Sequence, residues 1–487
     1  MIKYKASYYK ICLTSLIYLC LSSSIFCTDN TSDIVNKNNL ELKNQQSAFR
    51  IANLQSLLET ARNNNNKLKQ LKMDSKLSIY DEYMAMSKFF PTIDANMTFT
   101  YQLNPLDPIV IRKGQLGEQG GVFMPNEDIT VYKGMENTYY DYSFTLQQPL
   151  VTWGKILNGY RIQRHISTIS KLKEQEFQVE LINKLSICYY SLYYLNKLKL
   201  IISEQQTAAK RLLELSSINL KNGVITETQF LQSKIADQEV RLGTVELNNQ
   251  YSNLLLTIII DTGLDENTPV EFIFEDIKNN DDNIINEYKN ETFEVLKERS
   301  IVNNTQLKQL RKVSEIQKIK KFINIFSLYG IPDIFFHTKA SITGPRAPFI
   351  EKGWYGKNEM DLNISIIFQT RLIDGGTRML ELLKQMEDKK KYEQSYKIAI
   401  DQISNLISET RLKMDLNKTK TEYFKSKIEL LASSINEQLI LIENGSGNEI
   451  EYIKKQMELN NERIKFYKEL IDFQTNYFLL RAITSEL

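Results

Sequence analysis

Tyr140-Asp141-Tyr142-Ser143-Phe144-Thr145-Leu146-Gln147 alternates apolar and polar side chains without a break. Successive side chains of a strand point to opposite faces, so this stretch has one apolar and one polar face. Three more segments repeat the pattern. Ile93, Ala95, Met97, Phe99, Tyr101 and Leu103 alternate with Asp94, Asn96, Thr98, Thr100 and Gln102. Ile334, Phe336, Ala340 and Ile342 are set against His337, Lys339, Ser341 and Thr343. Met360, Leu362, Ile364, Ile366 and Phe368 are set against Asp361, Asn363, Ser365 and Gln369, with Ile367 as the exception. Strands are expected at about 92–103, 139–149, 334–343 and 360–370. Their lengths match the roughly 9–11 residues that a tilted transmembrane strand needs, with one face for lipid and one for water. A half-buried strand of a soluble sandwich alternates in the same way, so the flanking sequence has to decide.

The flanks are long and free of breakers. All nine Pro lie at 91, 105, 108, 125, 149, 269, 332, 345 and 348. From 160 to 262 the only Gly are Gly223 and Gly243; from 377 onward they are Gly445 and Gly447. Inside a helix Pro costs about 3 kcal/mol and Gly about 1. Two long helices follow, 155–221 and 377–443, each broken at a tip (222–225 and 444–447) and resumed over 226–261 and 448–485. Leu181, Leu185, Cys188, Leu192, Leu195, Ile202, Ala209, Leu213 and Leu220 form one heptad series, with polar gaps at Lys199, Gln206 and Ser216. A helix over 155–221 is about 100 Å long at 1.5 Å per residue. No sandwich holds one. The helices alone would suit a soluble coiled-coil hairpin, but the strands do not.

The chain is also written twice. Leu68-Lys69-Gln70-Leu71-Lys72 returns as Leu307-Lys308-Gln309-Leu310-Arg311. Leu146–Val151 lines up with Phe368–Ile373, Gly154 with Gly376, Asn222 with Asn444, Gly223 with Gly445 and Phe230 with Tyr452, each pair 222 residues apart. The expected organisation is a first repeat over 47–263, a linker over 264–290 and a second repeat over 291–487. Each repeat runs helix, two strands, long helix, tip, helix.

Composition sets the remaining bounds. At 487 residues the length prior is roughly three compact units. Lys plus Arg number 61 against 59 Asp plus Glu, which gives no charge excess for a nucleic-acid partner. Residues 1–27 read as a secretory signal peptide: Lys3, Lys5 and Lys10, an apolar run from Ile11 to about Leu21, then Ser22-Ser23-Ser24. Its removal takes three Lys from the 61 basic residues, leaving 58 against 59 acids. It also removes Cys12, Cys20 and Cys27 and leaves Cys188 alone, so no disulfide framework is expected. Phe26 before Cys27 is a poor match to a lipidation site, where a small residue is expected. Residues 28–46 are polar. The longest later apolar run, Leu254 to Ile260, is too short to span a membrane as a helix.

Three motifs mark the joints between strands and helices. Phe90-Pro91-Thr92-Ile93 precedes the first strand, Gln147-Gln148-Pro149-Leu150 closes the second, and Leu372-Ile373-Asp374-Gly375-Gly376 follows the fourth. In order and duplicate spacing they resemble the TolC family of outer-membrane channel-tunnels, over about 47–487. Arg371 stands where the family often has Pro, and Thr152-Trp153-Gly154 replaces the Asp-Gly-Gly of the second repeat, placing a bulky ring at the junction. The resemblance implies an α+β membrane protein: long antiparallel coiled-coil helices forming a periplasmic tunnel, and four strands per chain in a shared trimeric twelve-stranded outer-membrane barrel. Physics reaches part of this unaided, because open strand edges in lipid cost several kcal/mol per unpaired group. Two copies would give eight strands, a barrel filled by its own side chains, whereas three leave a channel.

The implied function is the exit duct of a tripartite efflux or type I secretion system, passive and non-enzymatic. Its partners would be two further copies, a periplasmic adaptor, an inner-membrane transporter and outer-membrane lipid. The other class in view is a surface-anchored structural or adhesive coiled-coil protein. No nucleotide loop or nucleophile motif appears, and no cofactor is expected. With only His165 and His337, neither is a multi-His metal site. His165 is expected at a solvated or interface position, and His337 on the polar strand face. In the family the tips meet the adaptor, which points to Gly223, Val224, Ile225, Thr226, Gly445 and Gly447, with Val224, Ile225 and Thr226 exposed. The family tunnel narrows just beyond the second tip glycine. Carried onto this sequence, the constriction falls on Glu451 and Lys454, where an i,i+3 pair would partly neutralise the acidic ring.

Overall fold

The computed structural model describes residues 49–51, 53–123, 125–265, 270–274, 277 and 291–485. The signal peptide, Cys27, the 28–46 segment and most of 264–290 lie outside the described residues. The chain divides into two units. In the smaller, β1 (Phe49–Ile51) pairs in parallel with a strand at Val270–Phe272, and the Ile273 amide donates to the Ile51 carbonyl at 3.1 Å. The stretch read as a plain linker therefore carries a strand.

The larger unit begins with α1 (Leu54–Asn64) and α2 (Asn66–Ser87). Next come β2 (Thr92–Tyr101), the short strands β3 (Ile109–Ile111), β4 (Glu118–Gln119), β5 (Val122–Phe123) and β6 (Ile129–Tyr132), and β7 (Thr138–Val151). The long helix α3 (Lys155–Lys221) and α4 (Glu227–Thr262) complete the first repeat. With β8 assigned to Val270–Phe272, the second repeat is α5 (Phe293–Asn303), α6 (Thr305–Leu328), β9 (Asp333–Gly344), a short α7 (Trp354–Lys357), β10 (Glu359–Gln369), α8 (Thr377–Glu443) and α9 (Glu449–Thr484). The two long helices have 67 residues each and the two return helices 36 each.

Four strands form one antiparallel sheet in the order β10-β9-β7-β2. The register sorts the faces. Met97, Tyr142, Ile342 and Met360 lie side by side, and in the next row stand Asn96, Ser143, Ser341 and Asp361. The loops at the far end of the sheet hold the small pairs β3–β6 and β4–β5. There Glu136 binds Lys357 at 2.8 Å and Arg346 at 3.3 Å, tying the first loop to the second.

The helices continue the order of the strands. Nearest the sheet they pack α2–α3–α6–α8, and toward the tips α4–α3–α9–α8. Tyr189 and Tyr194 of α3 are fully buried, with Tyr189 against Phe274 at 5.2 Å and Tyr194 against Tyr467 at 6.1 Å between ring centroids. The heptad series holds from Leu181 to Ala209. Leu213 and Leu220 are only half-buried, and the seam moves to Leu212 and Ser216, whose hydroxyl meets Ser233 at 2.8 Å. A helix of 3.6 residues per turn drifts about 20° per heptad against a strict repeat, so one series cannot stay buried over such a length. No described helix is long and apolar enough to cross a membrane.

Candidate functional site

Where sheet meets helices, the two repeats use different chemistry. In the second, Asp374 Oδ1 accepts from the Gly376 amide at 3.1 Å, Oδ2 accepts from the Arg378 amide at 3.2 Å, and Arg378 Nε pairs with the carboxylate at 3.0 Å. The Arg378 guanidinium also donates to the carbonyls of Ser327 and Arg371, so the position often held by Pro supplies an acceptor. In the first repeat Trp153 takes a left-handed backbone (φ 51°) and its indole donates to the Pro332 carbonyl at 2.8 Å. Beside it Lys155 pairs with Asp333 at 2.8 Å. The first junction thus grips the entry of β9, and the second the last turn of α6.

Lower down, His165 Nδ1 lies 3.3 Å from Glu315 and links α3 to α6. Burial pushes this imidazole below its ordinary pKa, against the pull of Glu315. His337 is half-buried, in register with Gln147 on one side and Ser365 on the other. Cys188 is buried, and its thiol is pushed up to about 11 by burial, which leaves it unreactive.

A duplicated joint was not read from the sequence. Asn65 Oδ1 accepts from the Leu68 amide at 2.8 Å, and its Nδ2 donates to the Asp261 carbonyl at 2.7 Å. Asn304 does the same with the Leu307 amide at 3.2 Å and the Ile483 carbonyl at 3.2 Å. One asparagine therefore caps a helix and satisfies a carbonyl at the end of the return helix. Its signal was present: both stand three residues before the Leu-Lys-Gln-Leu repeat.

The tips close tightly. Gly223 has φ 69°; its amide donates to Leu220, and the Val224 amide reaches back to Asn219 at 2.8 Å. Gly445 has φ 73°, and the Ser446 amide reaches Leu441 at 3.0 Å. These reversals need positive φ, which Gly adopts at little steric cost. Gly447 is required for room, since a Cβ there would lie 2.5 Å from the Ile442 backbone nitrogen. Thr226 is exposed, but its hydroxyl caps the Gln229 amide at 3.3 Å. Val224 is exposed. Ile225 is not: it is half-buried and lines a groove of roughly 380 Å³ with Leu212, Gln229, Ile450, Lys454 and Glu458. Leaving its side chain in water would forfeit that apolar contact.

Glu451, in the first turn of α9, and Lys454, in the second, are both exposed. They form no ion pair with each other, contrary to the i,i+3 expectation. Lys454 lines the groove beside Ile225. The ion pair at this level is Arg211 of α3 with Glu449, at 2.9 Å.

Both edges of the unit are unsatisfied. β2 and β10 bond on one side only, and every residue along both is exposed. The edge helices carry exposed apolar stripes at 3-4 spacing: Met73, Leu77, Tyr80 and Met84 on α2; Leu231, Ile235, Leu242, Leu256 and Ile260 on α4; Leu412, Leu416, Tyr423 and Leu430 on α8.

Residues 57–259 match the family model described as outer membrane efflux protein. That stretch of the chain is similar to the family. The TolC-family fold agrees over nearly the whole length. The structure superposes on a membrane protein from Pseudomonas aeruginosa with TM-score 0.69 and 13% identity, covering 90% of this chain and 91% of that one. On the Campylobacter jejuni CmeC outer membrane channel the values are 0.68 and 13%, covering 96% and 94%. On the open state of the Neisseria gonorrhoeae MtrE channel they are 0.64 and 11%, covering 90% of each. A search of curated proteins finds no match at the level of sequence. TolC-family channels are trimeric parts of efflux systems. The fold of this chain is accordingly that of outer-membrane channels.

Proposed function

We propose that three copies of this chain close into one duct that receives substrate from an inner-membrane transporter through a periplasmic adaptor. The observation that carries it is the doubly open edge. Lipid cannot satisfy the free backbone groups of β2 and β10, and water is a poor partner for the stripes on α2, α4 and α8. Another copy satisfies both at once, β2 against β10 and α2 or α4 against α8. Efflux is favoured over polypeptide export by the family description of residues 57–259. No nucleotide loop stands in the sequence, so the transporter supplies the energy. A filament or adhesin would not need a sheet with one apolar and one polar face. Single-channel conductance in a planar bilayer tests the reading, and a protein that never conducts after reconstitution as a trimer sinks it.

The tips are the surface this reading gives to the adaptor. Gly223, Val224, Thr226, Gly445 and Gly447 present short reversals, and the groove beside Ile225 offers a recess of mixed polar and apolar lining. Cysteine at Thr226, crosslinked in cells, is expected to capture a periplasmic protein that cysteine at a mid-helix position such as Ser203 does not. The reverse pattern removes the tips from docking.

The constriction assignment has its own measurement. Three Glu451 side chains around a threefold axis attract cations. With Lys454 drawn along the groove instead of onto Glu451, the ring keeps its charge. Glu451→Gln should reduce cation selectivity and divalent block, and Lys454→Asp should deepen both. If neither changes in bilayer recordings, the narrowest point lies elsewhere.

A further inference from the structure

We propose that the outer face of the helical wall, just below the sheet, binds anionic phospholipid headgroups of the periplasmic leaflet through Arg161, Arg164 and Lys318. The inference rests on the outer-membrane reading and goes beyond contact between apolar strands and lipid chains.

The three residues share one side of the wall. At 100° per residue, Leu157, Arg161 and Arg164 of α3 fall within about 60° of arc, as do Lys318 and Phe322 of α6 and its C-cap residue Tyr329. All six are exposed. The neighbours of α3 lie at right angles to this direction. Ser170 and Tyr160 reach α2 through Ser78 (2.7 Å) and Glu82 (3.3 Å), and His165 reaches Glu315 of α6 on the other flank.

The same side is the outer one. The Gln102 amide donates to the Asn137 carbonyl at 2.7 Å, so even-numbered residues of β2 aim their backbone groups at β7 and odd-numbered ones aim them away. For L-residues on an ascending strand, a side chain facing the viewer has its N–H and C=O pointing to the viewer's right. Seen from the apolar face of the sheet, with the loops uppermost, the strands therefore run β10, β9, β7, β2 from left to right. The helices keep that order, with α6 to the left of the descending α3. A right-handed helix in that place turns Arg161 and Arg164 toward the viewer, on the lipid side, and the ascending α6 does the same for Lys318.

Depth and charge then pick the occupant. Arg161 and Arg164 stand about 9 and 14 Å along α3 from Lys155, and Lys318 about 15 Å along α6 from Leu328. Between them and the sheet lie Leu157, Phe322 and Tyr329, an apolar and aromatic band. Apolar side chains nearest the hydrocarbon, followed by Arg and Lys able to snorkel back toward it, is the order of a lipid interface. Among the described residues none of the three bases makes an ion pair; Arg161 donates only to the Asn158 side-chain oxygen, at 3.4 Å. Anionic headgroups are the complementary partner within a screening length of about 8 Å.

The test uses the reconstituted trimer with spin-labelled lipids, phosphatidylglycerol against phosphatidylcholine, in a phosphatidylethanolamine-rich bilayer. Wild type should enrich the anionic label at its surface about threefold or more. The triple variant Arg161→Gln, Arg164→Gln, Lys318→Gln should fall to parity with unchanged single-channel conductance, which shows the trimer intact. Lys171→Gln, about 24 Å along α3, should retain the enrichment. Equal enrichment of both labels by wild type, or full enrichment by the triple variant, overturns the proposal. So does loss of binding to isolated peptidoglycan sacculi in the triple variant with lipid selectivity unchanged. A wild type that enriches the anionic label but never conducts would overturn the duct reading and leave the lipid site standing.

Discussion

Leu231→Glu, Ile235→Glu and Leu242→Glu together should abolish the trimer. All three lie exposed on one stripe of α4, an edge helix that packs in its own chain on α3 and, through its C-terminal end, beside α1. Burying an apolar side chain of this size stabilises by about 1.5–3 kcal/mol. Three per copy, repeated at three interfaces, make a large share of the assembly energy outside the barrel. Glutamates there would face the stripe of the neighbouring α8 and leave carboxylates without partners in an apolar contact. Mass measurement in detergent should find monomer where wild type is trimer. Circular dichroism should keep its helical signal, because these side chains make no core contact within the chain. A variant that remains trimeric would show that α4 faces solvent in the assembly, and the pairing of edges would need another register.

Asn65→Ala with Asn304→Ala should lower stability by about 1–4 kcal/mol, since an N-cap is worth about 0.5–2 kcal/mol and the two sites share no contact. Each also leaves a carbonyl, of Asp261 or Ile483, without its donor. The expected result is a clear drop in the temperature at which the trimer dissociates on a heated gel, with each single variant giving about half of it. Asp at both positions should restore the cap but not the donor to the carbonyl, and so recover only part of the loss. A double variant that melts like wild type would mean that neither bond contributes.

These two predictions also mark how far the sequence reaches. Period-two alternation placed the four strands, because facing lipid on one side and water on the other forces it residue by residue. Scarcity of Pro and Gly marked the long helices for a similarly local reason. The 222-residue offset was legible because each copy obeys the same local rules, and it recurs in helices of 67 and 36 residues. The coarse fold and the tip glycines followed from these signals.

Tertiary structure alone decided the rest. Asn65 and Asn304 were not singled out in the sequence, because the bond each makes to a carbonyl at the far end of its repeat spans 196 residues in one case and 179 in the other. Trp153 looked like an intrusion at the junction, and became a donor only once Pro332 was brought beside it. Glu451 and Lys454 had the spacing of an i,i+3 pair, but Lys454 lines the groove beside Ile225 instead, a placement that sequence spacing does not reveal. The strand at Val270–Phe272 was hidden in a stretch read as a linker, since a three-residue strand has no periodicity to detect. Local patterns fix what each segment is, because propensity and alternation act within a few residues. Which surfaces stay bare, and so what must cover them, depends on the order in which segments pack, and only the folded chain shows that.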